Sequence, residues 1–308
     1  MEMMISLVLL MVGFVLLVKG ADWFVEGASG IAARLGIPQL VIGLTIVAMG
    51  TSAPEAAVSI TAALKGSADI TIGNVVGSNI MNVLVILGLA SALSTIAVAK
   101  STMFREIPFM ILATVVLLLL GLDGAISLVD GVILWGMFLL YLGYLFRMTK
   151  KGEAEVEEIN TDRPLWQAAI WTVVGLVLII AGSNVAVEAA ASIARVLGMS
   201  ERLIGLTIVA LGTSLPELFT SVSAARRGNA DIAIGNIVGS NIFNILFIVG
   251  LSGLIIPINF QPQFVFDTLV ALAAAVLLFL LCFRKKQLGK IAGIIMLIGY
   301  AAYFACIV

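Results

Sequence analysis

Long apolar stretches, separated by short polar segments, run through the whole chain. A membrane-spanning helix needs about 20 mostly apolar residues, and ten stretches meet that length. Several are longer than a straight crossing requires, so tilted or internally interrupted helices are expected. The pattern therefore predicts an all-α integral membrane protein with ten transmembrane helices. The predicted spans are 4–27, 38–63, 69–93, 106–121, 125–148, 165–190, 202–224, 231–255, 264–283 and 288–307.

The composition agrees with this interpretation. Of the 308 residues, 61% are hydrophobic and 11% are charged, whereas about a quarter are charged in ordinary soluble domains. The first stretch begins with Glu2 instead of a basic region, which favours a mature span over a signal peptide. Cys282 and Cys306 both lie in predicted spans, so no disulfide framework is indicated. The sequence has no histidine, which excludes imidazole zinc sites and histidine-based catalysis.

The placement of basic residues predicts the orientation. If the N-terminus faces outward, the inner loops hold 13 lysines and arginines and the outer loops hold three. Positive charge is enriched on the cytoplasmic side of membrane proteins, so both termini are predicted to be extracellular. Short loops and the lack of a targeting signal favour a prokaryotic cell membrane. The inner set is Arg34, Lys100, Arg105, Arg147, Lys150, Lys151, Arg163, Arg226, Arg227, Arg284, Lys285, Lys286 and Lys290; the outer set is Lys65, Arg195 and Arg202.

Two sequence blocks occur twice, and one constant shift in residue number, here called the repeat offset, aligns both pairs of copies. Residues 42–59 read IGLTIVAMGTSAPEAAVS and match 204–221 at 13 of 18 positions. Residues 69–82 read DITIGNVVGSNIMN and match 231–244 at 11 of 14 positions. The chain is therefore predicted to consist of two repeats of five helices each.

Because five is an odd number, the second repeat must enter the membrane from the opposite face. Inverted repeats of this kind place substrate sites near the midplane, where the halves meet. The predicted repeats are 1–149 and 164–308, joined by a cytoplasmic linker at 150–163. The linker's four glutamates lack the ordered spacing of a calcium loop, so a soluble hinge is favoured over a regulatory calcium site. They are Glu153, Glu155, Glu157 and Glu158.

Glu55 and Glu217 are the acidic residues set deep in otherwise apolar spans. An ionisable group at such depth costs about 2.5–3.5 kcal/mol on insertion scales and indicates a functional site by default. No basic residue lies at a similar depth in the second, third, seventh or eighth predicted spans. Two facing carboxylates do not both ionise easily without a cation between them. A cation or proton site is therefore favoured over a structural role.

The residues around the two glutamates are oxygen donors. Pro54 and Pro216 precede them, and proline breaks or kinks a helix because it cannot donate the expected backbone hydrogen bond. Thr51 and Thr213 lie four residues before the glutamates, a spacing that places hydroxyl and carboxylate on one helix face. Carboxylate, hydroxyl, amide and carbonyl oxygens without nitrogen or sulfur ligands suit calcium, and smaller subsets suit sodium. The third and eighth spans add Ser78 with Asn82, and Ser240 with Asn244.

The paired motifs GTSxPE and GNxVGSN resemble those of the calcium/cation antiporter superfamily, specifically its prokaryotic sodium/calcium exchanger branch. The resemblance covers essentially the whole chain. It implies a secondary active antiporter, not an enzyme, that exchanges Ca2+ for Na+ by alternating access and needs no cofactor. Its partners would be the two ions and the lipid bilayer, with no nucleic acid.

The resemblance also implies an ion site formed where the second, third, seventh and eighth helices are broken. The calcium site would use Glu55, Glu217, Thr51 and Thr213; the flanking sodium sites would use Ser78, Ser240 and the backbone carbonyls of Ala48 and Ala210. Ser52 and Ser214 of the GTSxPE motifs, and Asn82 and Asn244 three residues after the GNxVGSN motifs, complete the predicted ligand set.

The long first and sixth helices would slide against this core. Gly13, Gly20 and Gly27 in the first helix permit close helix approach. Sliding is an implication of the resemblance alone. Asp22, Glu26 and Glu188 are not assigned to the ion path, and we expect them near helix ends or in local pairs such as Lys19 with Asp22.

One departure from the family pattern and three alternative functions remain. Some related exchangers carry an aspartate where this chain has Asn244, which leaves ion stoichiometry and potassium dependence undetermined. Proton-coupled calcium exchangers typically carry an acidic residue shortly after GN, where this chain has Val76–Gly77 and Val238–Gly239. A cation channel is disfavoured by the inverted repeat. An intramembrane hydrolase is disfavoured because Asp123 and Asp130 flank a short loop and fit turn or cap positions.

Overall fold

The computed structural model describes residues 2–151, 164–199 and 210–307. These residues are almost entirely helical, and the helices follow the apolar stretches of the sequence. In chain order they are α1 (Glu2–Leu35), α2 (Gln39–Thr51), α3 (Ala53–Leu64), α4 (Ile70–Leu93), α5 (Thr102–Gly121), α6 (Leu128–Lys151), α7 (Leu165–Val196), α8 (Ala210–Thr213), α9 (Leu215–Arg226), α10 (Ala230–Ile255), α11 (Pro262–Phe283) and α12 (Lys290–Ile307).

Within the described residues, eight helices are long and apolar enough to cross a membrane, or nine if the bent pair α2 and α3 forms one span. The prediction of a multi-pass helical membrane protein is confirmed. The predicted seventh span, 202–224, lies partly outside the described residues, where α8 and α9 cover its second part. Residues 152–163 of the predicted linker, including its four glutamates, also lie outside them.

The helix α1 is longer than predicted. The expected span was 4–27, whereas the helix runs from Glu2 to Leu35. Asp22 and Glu26 therefore lie inside the helix, and the expectation that they sit near its end was wrong. Arg227, from the second half of the chain, pairs with both of these charges.

The predicted break in the second span is present. The helices α2 and α3 meet at Ser52 with a bend of 51°, and Pro54 occupies the first turn of α3. The same arrangement separates α8 from α9 at Ser214, where Pro216 occupies the first turn. A proline in the first turn costs no hydrogen bond, so each helix can restart with its proline in that turn.

The prediction that the third and eighth helices are broken was wrong. The helices α4 and α10 each run through without a gap and change instead to a π-helical segment. The segments are Asn82–Leu87 in α4 and Asn244–Val249 in α10, and the repeat offset aligns one with the other. Neither helix contains a proline, so the backbone can widen locally while every turn stays connected.

The helices α4 and α10 form the centre of the protein. Each of these helices has a most apolar stretch of 18 residues. In that stretch 94% is buried in α10 and 78% in α4, whereas only 17% is buried in α1 and in α12. Exposed leucine, isoleucine and valine side chains cover the outer helices, as expected for surfaces in contact with lipid. The polar motifs of α4 and α10 are therefore shielded from lipid by the surrounding helices.

The helices α1 and α7 pack against each other along small residues. Gly13, Gly20 and Gly27 recur every seven residues, a spacing that keeps them on one face. A methyl group added to Gly20 would lie 2.8 Å from the backbone nitrogen of Ile179, and one on Gly27 would lie 2.7 Å from the carbonyl oxygen of Ala168. The close approach expected from these glycines is therefore present.

Four two-residue strands, which the sequence did not predict, join the ends of the helices. They are β1 (Ile96–Ala97), β2 (Ala125–Ile126), β3 (Ile258–Asn259) and β4 (Gln287–Leu288). β1 pairs with β4 and β2 pairs with β3, both antiparallel. Each pair connects the first half of the chain to the second. The repeat offset relates β1 to β3 and β2 to β4.

Candidate ion-binding site

The two motif glutamates lie in the first turns of the helices that restart after the breaks. Glu55 is in α3 and Glu217 in α9, and each side chain is only 1% exposed. First-turn backbone N–H groups have no helical partner, and the helix dipole there favours negative charge. The break thus places each carboxylate at a helix N-terminus inside the protein.

The carboxylates are held by hydroxyl groups from other parts of the chain. Ser52 Oγ donates to Glu217 Oε1 at 2.8 Å, and Thr51 also lies close to Glu217. Thr213 lies close to Glu55, which in turn lies close enough to Glu217 for the two charges to interact. The glutamates therefore meet in one site.

The bend at Ser52 lies between Thr51 and Glu55, and each threonine approaches the glutamate of the other motif. Thr51 lies close to Glu217, and Thr213 lies close to Glu55. Because the two glutamates share one site, the placement of each hydroxyl on the face of its own glutamate stays a prediction.

The serines and carbonyls predicted for the flanking positions line the same region. Ser78 Oγ donates to Glu55 Oε1 at 3.4 Å, and Ser240 Oγ donates to the backbone oxygen of Ala48 at 3.3 Å. Ser214 Oγ lies 3.4 Å from Ser78 Oγ. Ala210 is the first residue of α8. The structure brings most of the predicted set together, and their roles as ion ligands stay a prediction.

Four oxygens in this region are buried and have no hydrogen-bond partner. They are Oε2 of Glu55, Oε2 of Glu217, Oδ1 of Asn82 and Oδ1 of Asn244. An unsatisfied buried acceptor costs about 1–3 kcal/mol and more when it is charged. The described part of the chain shows no ion pair to either glutamate. Such oxygens are typical of a site that a cation completes.

A second layer of amides, which the sequence analysis missed, supports the glutamates. Asn74 Nδ2 donates to Ser59 Oγ at 2.9 Å and to the backbone oxygen of Glu55 at 3.2 Å. Asn236 Nδ2 donates to Ser221 Oγ at 2.9 Å, and its Oδ1 lies 2.9 Å from Thr51 Oγ1. The signal for these residues was the GN pair that begins both copies of the GNxVGSN motif.

A further amide pair, Asn79 and Asn241, joins α4 to α10. Asn82 Nδ2 donates to Asn241 Oδ1 at 2.9 Å, and Asn244 Nδ2 donates to Asn79 Oδ1 at 3.0 Å. Asn79 and Asn241 also donate to each other's backbone oxygens, at 3.1 and 3.3 Å. All four side chains are at most 4% exposed. Asn79 and Asn241 were also missed by the sequence analysis, although GSN occurs in both motif copies.

A cavity of about 930 Å³ reaches the site from one side. It lies between α3 and α7 and is lined by Pro54, Glu188, Gly212 and Thr213, among others. Because Thr213 lines the cavity and lies close to Glu55, the cavity ends at the polar cluster. The site therefore has a route to its surroundings on this side.

A second group of residues lies between α1 and α9. A smaller cavity of about 380 Å³ between α1 and α9 is lined by Asp22, Arg226 and Arg227 and contains none of the predicted ligands. Arg227 forms ion pairs with Asp22 at 3.4 Å and with Glu26 at 3.6 Å, and Ser223 Oγ donates to Asp22 at 2.7 Å. The expected pair of Lys19 with Asp22 was wrong within the described residues, because Arg227 reaches Asp22 from the other half.

The aspartates that a hydrolase would need have structural roles. Asp130 Oδ2 accepts hydrogen bonds from the backbone nitrogen and the hydroxyl of Ser127, both at 2.7 Å. The Asp130 nitrogen in turn donates to Ser127 Oγ at 3.3 Å, which resembles a reciprocal helix cap. Asp123 accepts from the Ala125 nitrogen at 3.3 Å. Their assignment to turn and cap positions is confirmed.

Comparisons with known proteins converge on one family. The family model described as "Sodium/calcium exchanger protein" matches residues 5–147 and 167–308. The protein CaxA of Alkalimonas amylolytica, which is named as an antiporter, is 41% identical over 98% of each chain. The sodium/calcium exchanger MaX1 of Methanosarcina acetivorans is 33% identical over 97% of each chain. A solved structure of the sodium-calcium exchanger NCX_Mj superposes with a TM-score of 0.86 at 32% identity, covering 98% of both chains.

Proposed function

This chain belongs to the sodium/calcium exchanger protein family, and we propose that it exchanges Ca2+ for Na+ across a prokaryotic cell membrane by alternating access. Members of this family are transporters. One observation carries the proposal: Glu55 and Glu217 share a buried site, each keeps an unpartnered oxygen, and no basic residue pairs with either in the described residues.

The chemistry of the site fits a calcium ion. Calcium takes six to eight oxygen ligands, and carboxylates and carbonyls are its usual partners in proteins. Two ionised glutamates carry two negative charges, which one Ca2+ neutralises. The hydroxyls of Thr51 and Thr213 and the unpartnered amide oxygens of Asn82 and Asn244 add neutral oxygens. The site would therefore hold one dehydrated divalent cation with its charge balanced.

Sodium would use the same region in smaller sets. Ser78 contacts Glu55, and Ser240 contacts the backbone carbonyl of Ala48. Sodium positions that flank the glutamates would use oxygens placed in this way. A sodium ion beside a glutamate withdraws that carboxylate from calcium. Binding of one ion type then excludes the other, and this competition would couple the two fluxes.

Ten spans in two inverted repeats are part of the proposal. The repeat offset relates the glutamates, the π-helical segments and the four short strands. Strand pairing across the halves, β1 with β4 and β2 with β3, supports a two-fold relationship. With five spans per repeat, the halves would cross the membrane in opposite directions and both termini would be extracellular.

The two cavities support alternating access. On the proposed orientation, the cavity between α3 and α7 opens to the outside, and the ion pairs of Arg227 with Asp22 and Glu26 close the inside. Movement of α1 and α7 against the core would reverse this arrangement. Their contact through glycines offers few interlocking side chains against such movement.

Proton coupling is the alternative, because a buried carboxylate with an unpartnered oxygen can also take up a proton. Reconstituted protein in liposomes decides between the two. We expect calcium uptake when the liposomes are loaded with sodium and none when only a pH gradient is imposed. Uptake that follows the pH gradient and ignores sodium would establish the proton alternative, and a separate potassium gradient would reveal potassium dependence. The Glu55→Gln variant serves as the inactive control.

A further inference from the structure

We propose that Asn79 and Asn241 are positioning residues that fix the amide orientation of Asn244 and Asn82, so that each presents its oxygen to the transported cation. This inference rests on the proposed function. An amide has an oxygen on one side and an NH2 group on the other, and only the oxygen can bind a cation. Which side faces the ion must therefore be set by the surroundings.

The orientation begins at the backbone. Asn79 Nδ2 lies 3.1 Å from the backbone oxygen of Asn241, and Asn241 Nδ2 lies 3.3 Å from the backbone oxygen of Asn79. A backbone oxygen only accepts hydrogen bonds. Asn79 and Asn241 must therefore each direct their NH2 group toward the other's backbone oxygen. Turning either amide around would place two acceptors face to face in a buried environment, where such contacts are costly.

The orientation then passes to the second pair of amides. With their NH2 groups committed, Asn79 and Asn241 present Oδ1 to Asn244 Nδ2 at 3.0 Å and to Asn82 Nδ2 at 2.9 Å. Asn244 and Asn82 must donate in these contacts. Their own Oδ1 atoms are thereby left without a hydrogen-bond partner, although both side chains are at most 1% exposed.

The free oxygens belong to the glutamate site. Asn82 lies one turn beyond Ser78, whose hydroxyl contacts Glu55, and Asn244 lies one turn beyond Ser240, whose hydroxyl contacts Ala48. Side chains four residues apart share a helix face. The hydrogen bonds between the amides thus leave only acceptor oxygens at these two ligand positions. Such positions favour a cation and exclude an anion.

A double-mutant cycle separates this role from simple packing. In Asn79→Ala, Asn244 loses the acceptor that orients it, and we expect the calcium KM to rise about tenfold, equivalent to about 1.4 kcal/mol, with kcat less affected. In Asn244→Asp, both terminal atoms are oxygens, so orientation no longer matters. We therefore expect Asn79→Ala to leave the calcium KM unchanged, or to lower it, when it is introduced into the Asn244→Asp background.

Equal KM losses in the two backgrounds would overturn the proposal, because a packing role of Asn79 does not depend on residue 244. Thermal unfolding of each purified variant, with and without CaCl2, gives a readout independent of transport: the calcium-dependent rise in Tm should fall in Asn79→Ala and not fall further in the double variant. The symmetry-related cycle, Asn241→Ala with Asn82→Asp, repeats the test if Asn79→Ala does not fold. Calcium transport by the unmodified protein that is indifferent to sodium would reject the proposed sodium coupling and leave this test intact.

Discussion

Ser52 Oγ donates a hydrogen bond of 2.8 Å to Glu217 Oε1, although the two residues are 165 positions apart in the chain. Ser52 lies only three residues before Glu55, the glutamate of its own motif. In the second copy, Ser214 contacts Ser78 and not a carboxylate. The two copies therefore make different contacts with the glutamates of the site.

Removal of either site charge should stop exchange. We expect Glu55→Gln and Glu217→Gln each to lower sodium-dependent calcium uptake by more than about 100-fold, because a divalent ion loses one of two balancing charges and each 1.4 kcal/mol is a tenfold change. Folding should be unaffected, since a neutral amide removes a buried charge. Isotope flux in proteoliposomes and size-exclusion chromatography measure the two effects.

The matched control for these variants is Asp123→Asn. Asp123 lies in an exposed turn, where it accepts a hydrogen bond from the backbone nitrogen of Ala125. It should transport like the unmodified protein. Normal calcium flux in either glutamine variant would remove that glutamate from the mechanism.

The ion pairs of Arg227 should hold the inner side closed. Partly exposed ion pairs contribute about 0.2–1 kcal/mol each, so Arg227→Gln should favour inward opening by about fivefold. A cysteine introduced at Ala21, which is buried beside the smaller cavity, reports this opening. Both proteins carry this cysteine in a Cys282→Ser, Cys306→Ser background. With Arg227→Gln, the cysteine should react with an impermeant thiol reagent on the inner face about fivefold faster than when Arg227 is present.

Arg226 lines the same cavity, and the described residues show no ion pair for it, so Arg226→Gln is the matched control. The repeat offset aligns Arg227 with Lys65 and Glu26 with Glu188. Lys65 and Glu188 form no ion pair in the described part of the chain, which agrees with an open outer side. Equal labelling rates in the Arg226→Gln and Arg227→Gln variants would argue against this gate.

The seam between α1 and α7 should tolerate no added methyl group. A Cβ on Gly175 would collide with the backbone of Phe24, and overpacking of this kind typically costs about 1–3 kcal/mol. We expect Gly175→Ala to lower the Tm of the purified protein. Gly136→Ala is the control, since nothing lies within 4 Å of a Cβ at that position. Identical melting temperatures for the two variants would show that the seam can separate freely.

The orientation can be tested with a native cysteine. Cys306 is exposed and Cys282 is buried. If both termini are extracellular, Cys306 should react with an impermeant maleimide added to intact cells. Arg34→Cys, in a Cys282→Ser, Cys306→Ser background, should react only after the cells are permeabilised. The reverse pattern would mean that the orientation inferred from the basic residues is inverted.

Much of the architecture could be predicted from the sequence because it depends on local sequence patterns. Apolar stretches of sufficient length define spans wherever they occur, and Pro54 marked the break in the second span. The cost of a buried carboxylate marks Glu55 and Glu217 without any knowledge of their neighbours. The duplicated motifs connect the two.

The pairing of groups across the site depended on the tertiary structure. Thr51 comes close to Glu217 of the other motif, which helical spacing alone could not predict. Arg227 in the second half of the chain meets Asp22 in the first, and the amides of Asn79 and Asn241 acquire a role only when α4 packs against α10. Periodicity and residue chemistry specify which face of a helix is polar. Which other face it meets is decided by packing of distant segments, and that packing determines which oxygens keep a partner and which stay available.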